Sequence, residues 1–168
     1  DRVALVGDTS AAPGSLARIV RVEPRASILR RTADDTDPVE RAIVANVAQL
    51  AIVSALADPQ PRPRLIDRCL VAAYDADLEP LLVLTKADLA SPDELRAAYD
   101  PLGVPILVTD PEADLAAITE ALTDRVTVFV GHSGVGKSTL VNRLIPGAGR
   151  ATAEVSELTG KGRHTSTS

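Results

Sequence analysis

The chain has 168 residues, a net charge of −5, 45 % hydrophobic residues and only 2 % aromatics, which allows one domain of ordinary size plus a fragment of another and a core built from Val, Leu, Ile and Ala. The negative balance argues against bulk electrostatic attraction to nucleic acid. No apolar run approaches the roughly 20 residues needed to cross a bilayer, and the N-terminus lacks the basic and apolar regions of a signal peptide, so a cytoplasmic protein with no membrane partner is expected.

Residues 1–31 show short strand-type runs, Val3 to Val6 and Leu16 to Val22, punctuated by Gly7-Asp8 and Pro13-Gly14. Arg2, Arg18, Arg21, Arg25, Arg30 and Arg31 outnumber Asp1, Asp8 and Glu23 there, which suits either a solvated strand surface or part of an RNA-facing module. Two or three strands cannot close a stable barrel, so the segment reads as the tail of a small β-domain. Residues 32–42 are polar, with three aspartates, and read as a linker.

From residue 43 onward strand and helix patterns alternate. Val47 to Val53 reads as a strand, about Leu65 to Asp77 as a helix with Ile66, Cys69, Leu70 and Ala73 on one face, and Leu81 to Leu84 as a strand. Cys69, the single cysteine, cannot form an internal disulfide and is expected to be a buried structural thiol. Ser91 or Asp93 can cap a helix through Tyr99; Pro105 to Val108 is a strand, Leu115 to Leu122 a helix, Val126 to Val130 a strand and Lys137 to Leu144 a helix. Repeated units of this kind with near-continuous apolar strands predict an α/β fold with a mostly parallel, doubly wound sheet.

Two segments carry chemistry. The run Gly131-His132-Ser133-Gly134-Val135-Gly136-Lys137-Ser138 follows a strand, opens a helix and fits G-x-x-x-x-G-K-[ST] at every fixed position. Glycines let successive backbone N–H groups turn inward as an anion nest, and the helix N-terminus adds its positive end. Lys137 is expected to reach the β- and γ-phosphates of a bound triphosphate, and the Ser138 hydroxyl to coordinate Mg²⁺. His132 occupies a variable position of this loop and reads as incidental, because its ring matters only if it faces the γ-phosphate.

The second segment, Thr85-Lys86-Ala87-Asp88, ends a strand and matches the [NT]-K-x-D pattern of guanine-specific NTPases. The Asp88 carboxylate can accept two hydrogen bonds from the N1–H and exocyclic amine of guanine, whereas adenine offers an acceptor at N1 and no amine at C2. Sites built for such bonds reject analogues that lack them by roughly 10⁴-fold or more. Thr85, where Asn is commoner, is expected to remove one amide contact to the loop or base. Lys86 precedes Lys137 by 51 positions, the reverse of the usual order in P-loop GTPases. Strand order in the sheet decides which loops meet, so both segments can line one crevice if the domain is circularly permuted.

With that permutation the chain resembles the circularly permuted, ribosome-small-subunit-dependent GTPases of the RsgA type. The resemblance rests on residues 24–31, Ala45-Asn46-Val47, Thr85 to Asp88, Gly131 to Leu140, and the run from Gly160 to Thr167. It implies a permuted P-loop GTPase domain over 43–168 preceded by the C-terminal part of an OB-fold over 1–31. It further implies a C-terminal zinc-binding domain (Zn²⁺) and the D-x-x-G segment beyond residue 168, so that the chain would be a piece of a longer protein. The nucleotide-binding set carried over is Thr85, Lys86, Ala87, Asp88, Gly131, His132, Ser133, Gly134, Val135, Gly136, Lys137, Ser138 and Thr139. The run after Gly160 looks like switch I, with Thr165 or Thr167 as a Mg²⁺ ligand beside Ser138 and with Lys137, Thr165 and Thr167 as the catalytic groups. Lys161, Arg163 and His164 would touch phosphate or ribosomal RNA, or simply keep the loop soluble. Residues 106–111 occupy the place of the base-supporting loop without its usual Ser-Ala.

The resemblance implies Mg²⁺-dependent hydrolysis of GTP to GDP, stimulated by the small ribosomal subunit and its rRNA, in late maturation of that subunit by a monomer. A nucleotide-gated ribosome-binding module with little intrinsic hydrolysis and an ATP-using P-loop kinase are the alternatives.

Overall fold

The computed structural model describes residues 2–34 and 37–147, and the chain divides into two compact units at Val47/Ala48. The first unit holds two separate antiparallel ribbons. β1 (Val3–Gly7) pairs with β2 (Ala17–Val22), and β3 (Ile28–Asp34) pairs with β4 (Asp37–Ala45). Residues 32–42, read as a linker, are therefore mostly strand: Arg30 pairs with Ala42 and Leu29 with Val44. Polar composition reports contact with solvent, not lack of pairing, and a two-stranded ribbon satisfies its backbone whatever side chains it carries. The ribbon is closed at its open end by Ser27, whose hydroxyl donates to the Val47 carbonyl at 2.6 Å and accepts from the Val47 amide at 2.9 Å.

The second unit is built on a parallel sheet of β5 (Gln49–Ala55), β6 (Glu79–Thr85), β7 (Ile106–Val108) and β8 (Thr127–Val130), in the order β7-β6-β5-β8. Every residue of β5 is buried, as is Leu81–Thr85 of β6. Strands covered on both faces need apolar residues at every position, which explains the unbroken runs in the sequence. α1 (Pro63–Asp75) starts with proline at its first turn and buries Ile66, Leu70 and Ala73, with Cys69 only half-buried. α2 (Asp93–Tyr99) is preceded by Ser91, whose hydroxyl accepts from the Asp93 amide at 3.2 Å. α3 (Ala116–Leu122) and α4 (Lys137–Leu144) complete the unit.

The two faces follow from the period of two along each strand. Ala51, Val53 and Ala55 of β5 and Leu81 and Val83 of β6 form one core with Ile118 of α3, Leu140 of α4 and Val135 of the loop before it. Leu50, Ile52, Leu82 and Leu84 are left for the opposite face, where α1 packs along β5 and β6. Helices thus cover both sides of a parallel sheet, the α/β architecture expected from the sequence.

Strand order fixes where a ligand binds. The chain runs from β5 outward to β6 and β7, then returns to add β8 on the other side of β5. The order reverses between β5 and β8, and the crevice beyond their carboxyl ends is the site such sheets offer.

Candidate nucleotide site

β8 delivers the chain to Gly131 beside β5, since Val130 is in register with Ile52. A Cβ at position 131 would lie 2.3 Å from the Val53 carbonyl oxygen, at a φ of +153°, so only glycine lets the loop leave the sheet this close to its neighbour. The loop turns back through Val135, which is fully buried in the core. Gly136, at φ +88°, then caps α4 in a left-handed conformation. Anchored at both ends, the loop exposes the start of an eight-residue helix toward the crevice.

Lys137 bends over this loop. Its Nζ donates to the carbonyls of Gly131 and His132, each at 2.6 Å. Burial lowers its pKa, because an ammonium loses hydration there. An anion beside it would restore what burial removes. His132 donates from Nδ1 to the Ser133 carbonyl at 2.8 Å, since a carbonyl can only accept. Nε2, left as an acceptor, is buried and has no hydrogen-bond partner. Burial lowers the pKa of this ring, opposed by the Ser133 bond, and the nearby cations Arg62, Lys137 and Lys86 lower it further. Three positive groups around one loop make it a strongly electropositive spot.

The segment Thr85 to Asp88 is tied directly to the glycine loop. Thr85, 6 % exposed, donates its hydroxyl to the Val135 carbonyl at 2.7 Å. Its own carbonyl accepts from the Leu56 amide at 2.9 Å. The loop contact expected to vanish with the threonine is therefore made by its hydroxyl. Lys86 takes a left-handed φ of 60° and donates from Nζ to the Asp58 carbonyl, pulling the β5–α1 loop toward the same place. Leu89 closes the turn with a 3.0 Å bond from its amide to the Lys86 carbonyl, leaving Asp88 exposed.

Between these parts lies a cleft of about 170 Å³, lined by Thr85 at the end of β6 and Lys86 after it, by Thr109, Asp110 and Pro111 after β7, and by Gly136, Thr139, Leu140 and Arg143 from the loop and helix α4. Of the sequence-predicted set, Thr85, Lys86, Gly136 and Thr139 meet here. Gly131 to Val135, Lys137 and Ser138 form the adjoining loop, while Ala87 and Asp88 stand outside the cleft lining. Thr165 and Thr167, with Lys161, Arg163 and His164, lie outside the described residues. Arg143 was not singled out from the sequence, and Asp110 only as part of residues 106–111, the place of the base-supporting loop. Their contacts run largely to backbone atoms, which no spacing of side chains records.

The residues suit a magnesium nucleotide: the glycine at 131 is sterically required, the lysine is already held in the loop, and the hydroxyl of Ser138 stands at the first turn of α4.

The model of the RsgA GTPase family matches residues 22–168. The chain is 44 % identical over 154 residues to small ribosomal subunit biogenesis GTPase RsgA 1 of Vibrio vulnificus, covering 87 % of this chain and 43 % of that protein. It is 45 % identical over 157 residues to small ribosomal subunit biogenesis GTPase RsgA of Azotobacter vinelandii, covering 89 % and 45 %. It therefore spans less than half the length of these curated relatives. Among solved structures, YjeQ from Thermotoga maritima superposes with a TM-score of 0.63 at 30 % identity, covering 87 % of this chain and 52 % of that one. YloQ, a circularly permuted GTPase, matches with a TM-score of 0.56 at 23 % identity over 94 % and 64 %, and this likeness concerns the fold. Matched over most of its length by that family model and by relatives above 40 % identity, the chain belongs to the RsgA GTPase family.

Proposed function

We propose that the chain carries the nucleotide site of a cytoplasmic protein that binds GTP, hydrolyses it to GDP and phosphate, and acts in late maturation of the small ribosomal subunit, in contact with its rRNA and stimulated by it. The observation that carries this reading is the 2.7 Å bond from Thr85 to the Val135 carbonyl. It makes two segments 50 residues apart in the chain into one surface, with the phosphate loop on one side and the base-reading segment on the other. The names of the relatives support the ribosomal setting.

In this reading the amides of Gly131 to Ser138 hold the phosphates and Lys137 turns its ammonium from the loop carbonyls to the β- and γ-oxygens. The Ser138 hydroxyl ligates Mg²⁺, with Thr165 or Thr167 as its partner. The metal, when bound, neutralises charge developing on the phosphates. Asp88 accepts from the base edge and closes over the cleft rim. Positioning and electrostatics supply the rate, with little covalent work for the protein. The antiparallel strands of the first unit are read as part of an OB-fold, the working form as a monomer, and a zinc-binding domain as a further part of the whole protein.

Calorimetric titration of the chain with GTP, GDP and ATP in Mg²⁺ tests the reading. GTP and GDP are expected to bind about a hundredfold more tightly than ATP, less than a fully buried donor–acceptor match supplies because Asp88 is exposed. Equal affinity for ATP would contradict the role given to Asp88.

A further inference from the structure

Arg143 lies in the last turn of α4, the helix that begins at the phosphate loop, yet its guanidinium serves the other side of the cleft. Nη1 donates to the Asp110 carbonyl at 2.7 Å and Nη2 donates to the Ala113 carbonyl. Both carbonyls belong to the turn that follows β7. That turn is also bound to β6 and its loop: the Thr109 amide donates to the Leu84 carbonyl at 2.8 Å, and the Ala87 amide donates to the Thr109 carbonyl at 3.2 Å. Asp110 fixes the turn from within, its Oδ1 accepting from the Glu112 and Ala113 amides at 2.8 Å each. Thr109, Asp110 and Arg143 all line the cleft.

We infer that Arg143 is a positioning residue for base recognition: it clamps the turn 109–113 to the phosphate-binding helix, so that the wall facing the base is set at a fixed distance from the loop that holds the phosphates. The inference rests on the reading of the cleft as the base side of a nucleotide site. The geometry needs a planar fork with donors to spare, because two carbonyls three residues apart are gripped at once; a lysine ammonium is a compact point charge without that fork. A cation near a helix C-terminus is also favourable through the helix dipole, but a lysine would provide that equally well. The two roles therefore separate in a single substitution.

The test is calorimetric titration of the chain, Arg143→Lys and Arg143→Ala with GTP, GDP and inorganic tripolyphosphate in Mg²⁺, with a melting temperature for each protein. The expected result is a roughly tenfold loss of affinity for GTP and GDP alike in Arg143→Ala and a severalfold loss in Arg143→Lys, as removal of charge-assisted bonds implies. Tripolyphosphate, which has no base, is expected to bind all three proteins equally. GTP affinity unchanged in Arg143→Lys would overturn the clamp in favour of charge alone. A proportional loss of tripolyphosphate affinity would overturn it in favour of general support for α4. If Arg143→Ala does not fold, Arg143→Lys decides by itself. Failure of the unsubstituted chain to bind GTP would remove the base-site reading itself, and is distinguished by that protein alone.

Discussion

The wall made by the loop Gly131 to Ser138, which reaches the cleft at Gly136, is held by a buried Val135 whose carbonyl accepts from Thr85, by a glycine pressed against Val53 and by a lysine folded onto its own loop. The wall made by residues 109–113 is held partly by Asp110 within the turn and partly from elsewhere, by Arg143 of α4 and by the backbone of β6 and its loop. A glycine-rich loop writes its requirements into local spacing, because its glycines and lysine must fall at fixed positions along the chain whatever they pack against. A wall braced from elsewhere leaves no such trace, and small changes in the brace move it without altering its own sequence.

Breaking the first wall should cost most. Gly131→Ala places a methyl against the Val53 carbonyl at 2.3 Å and in a strained φ. β5 and β8 must then part, and about 3–5 kcal/mol of stability should be lost together with nucleotide binding. Urea denaturation followed by circular dichroism reads the first and GTP titration the second. A variant that keeps its stability within about 1 kcal/mol would show that the loop can leave the sheet by another path.

The link between the loops should cost less. Thr85→Val keeps the shape of the side chain but removes the donor to Val135, and a buried carbonyl left without its partner costs about 1–3 kcal/mol. Thr85→Ser, which keeps the hydroxyl, should retain the larger part of that stability and of GTP affinity. Equal loss in both variants would transfer the effect from the hydrogen bond to packing of the threonine methyl.

The smallest effect concerns pH. Burial holds His132 below its ordinary pKa, so the folded chain favours the neutral ring. The unfolded chain takes up a proton first as pH falls through about 6.5. Stability should be full above that value and decline below it until the folded ring also protonates, after which this histidine adds no further slope. His132→Gln should flatten this part of the melting-temperature profile between about pH 7 and 5. Phosphate or GTP beside the ring should raise the folded-state pKa back toward its ordinary value and so shrink the decline. An identical profile with and without His132 would assign the slope to other groups.

The local form of the first wall was legible in the sequence. The strand-to-helix turn, the span Lys137–Leu144 and Ile66, Leu70 and Ala73 on the core face of α1 were legible, because glycine spacing and helical period are local signals, whereas Cys69, expected to be buried, is only half-buried. The first strand of the sheet was read as Val47 to Val53 and lies at Gln49–Ala55. No turn residue marks its start, and Val47 is engaged instead by the Ser27 hydroxyl. The pairing of β3 with β4 was hidden by polar composition. The bond from Thr85 and the brace from Arg143 both end on backbone carbonyls. Every residue offers such an acceptor, so nothing in the sequence distinguishes the ones used.

The central claim is that Asp88 reads the base of a nucleotide whose phosphates rest on the loop around Lys137, and exchanging the base-reading chemistry tests it most directly. In Asp88→Asn the side-chain oxygen still accepts from N1–H, while its amide can donate to the C2 oxygen of xanthine where the carboxylate faced the amine of guanine. Competition between GTP and XTP should therefore reverse, with GTP preferred by the unsubstituted chain and XTP by the variant. If both proteins keep the same preference, residue 88 does not face the base and the account of the site is wrong.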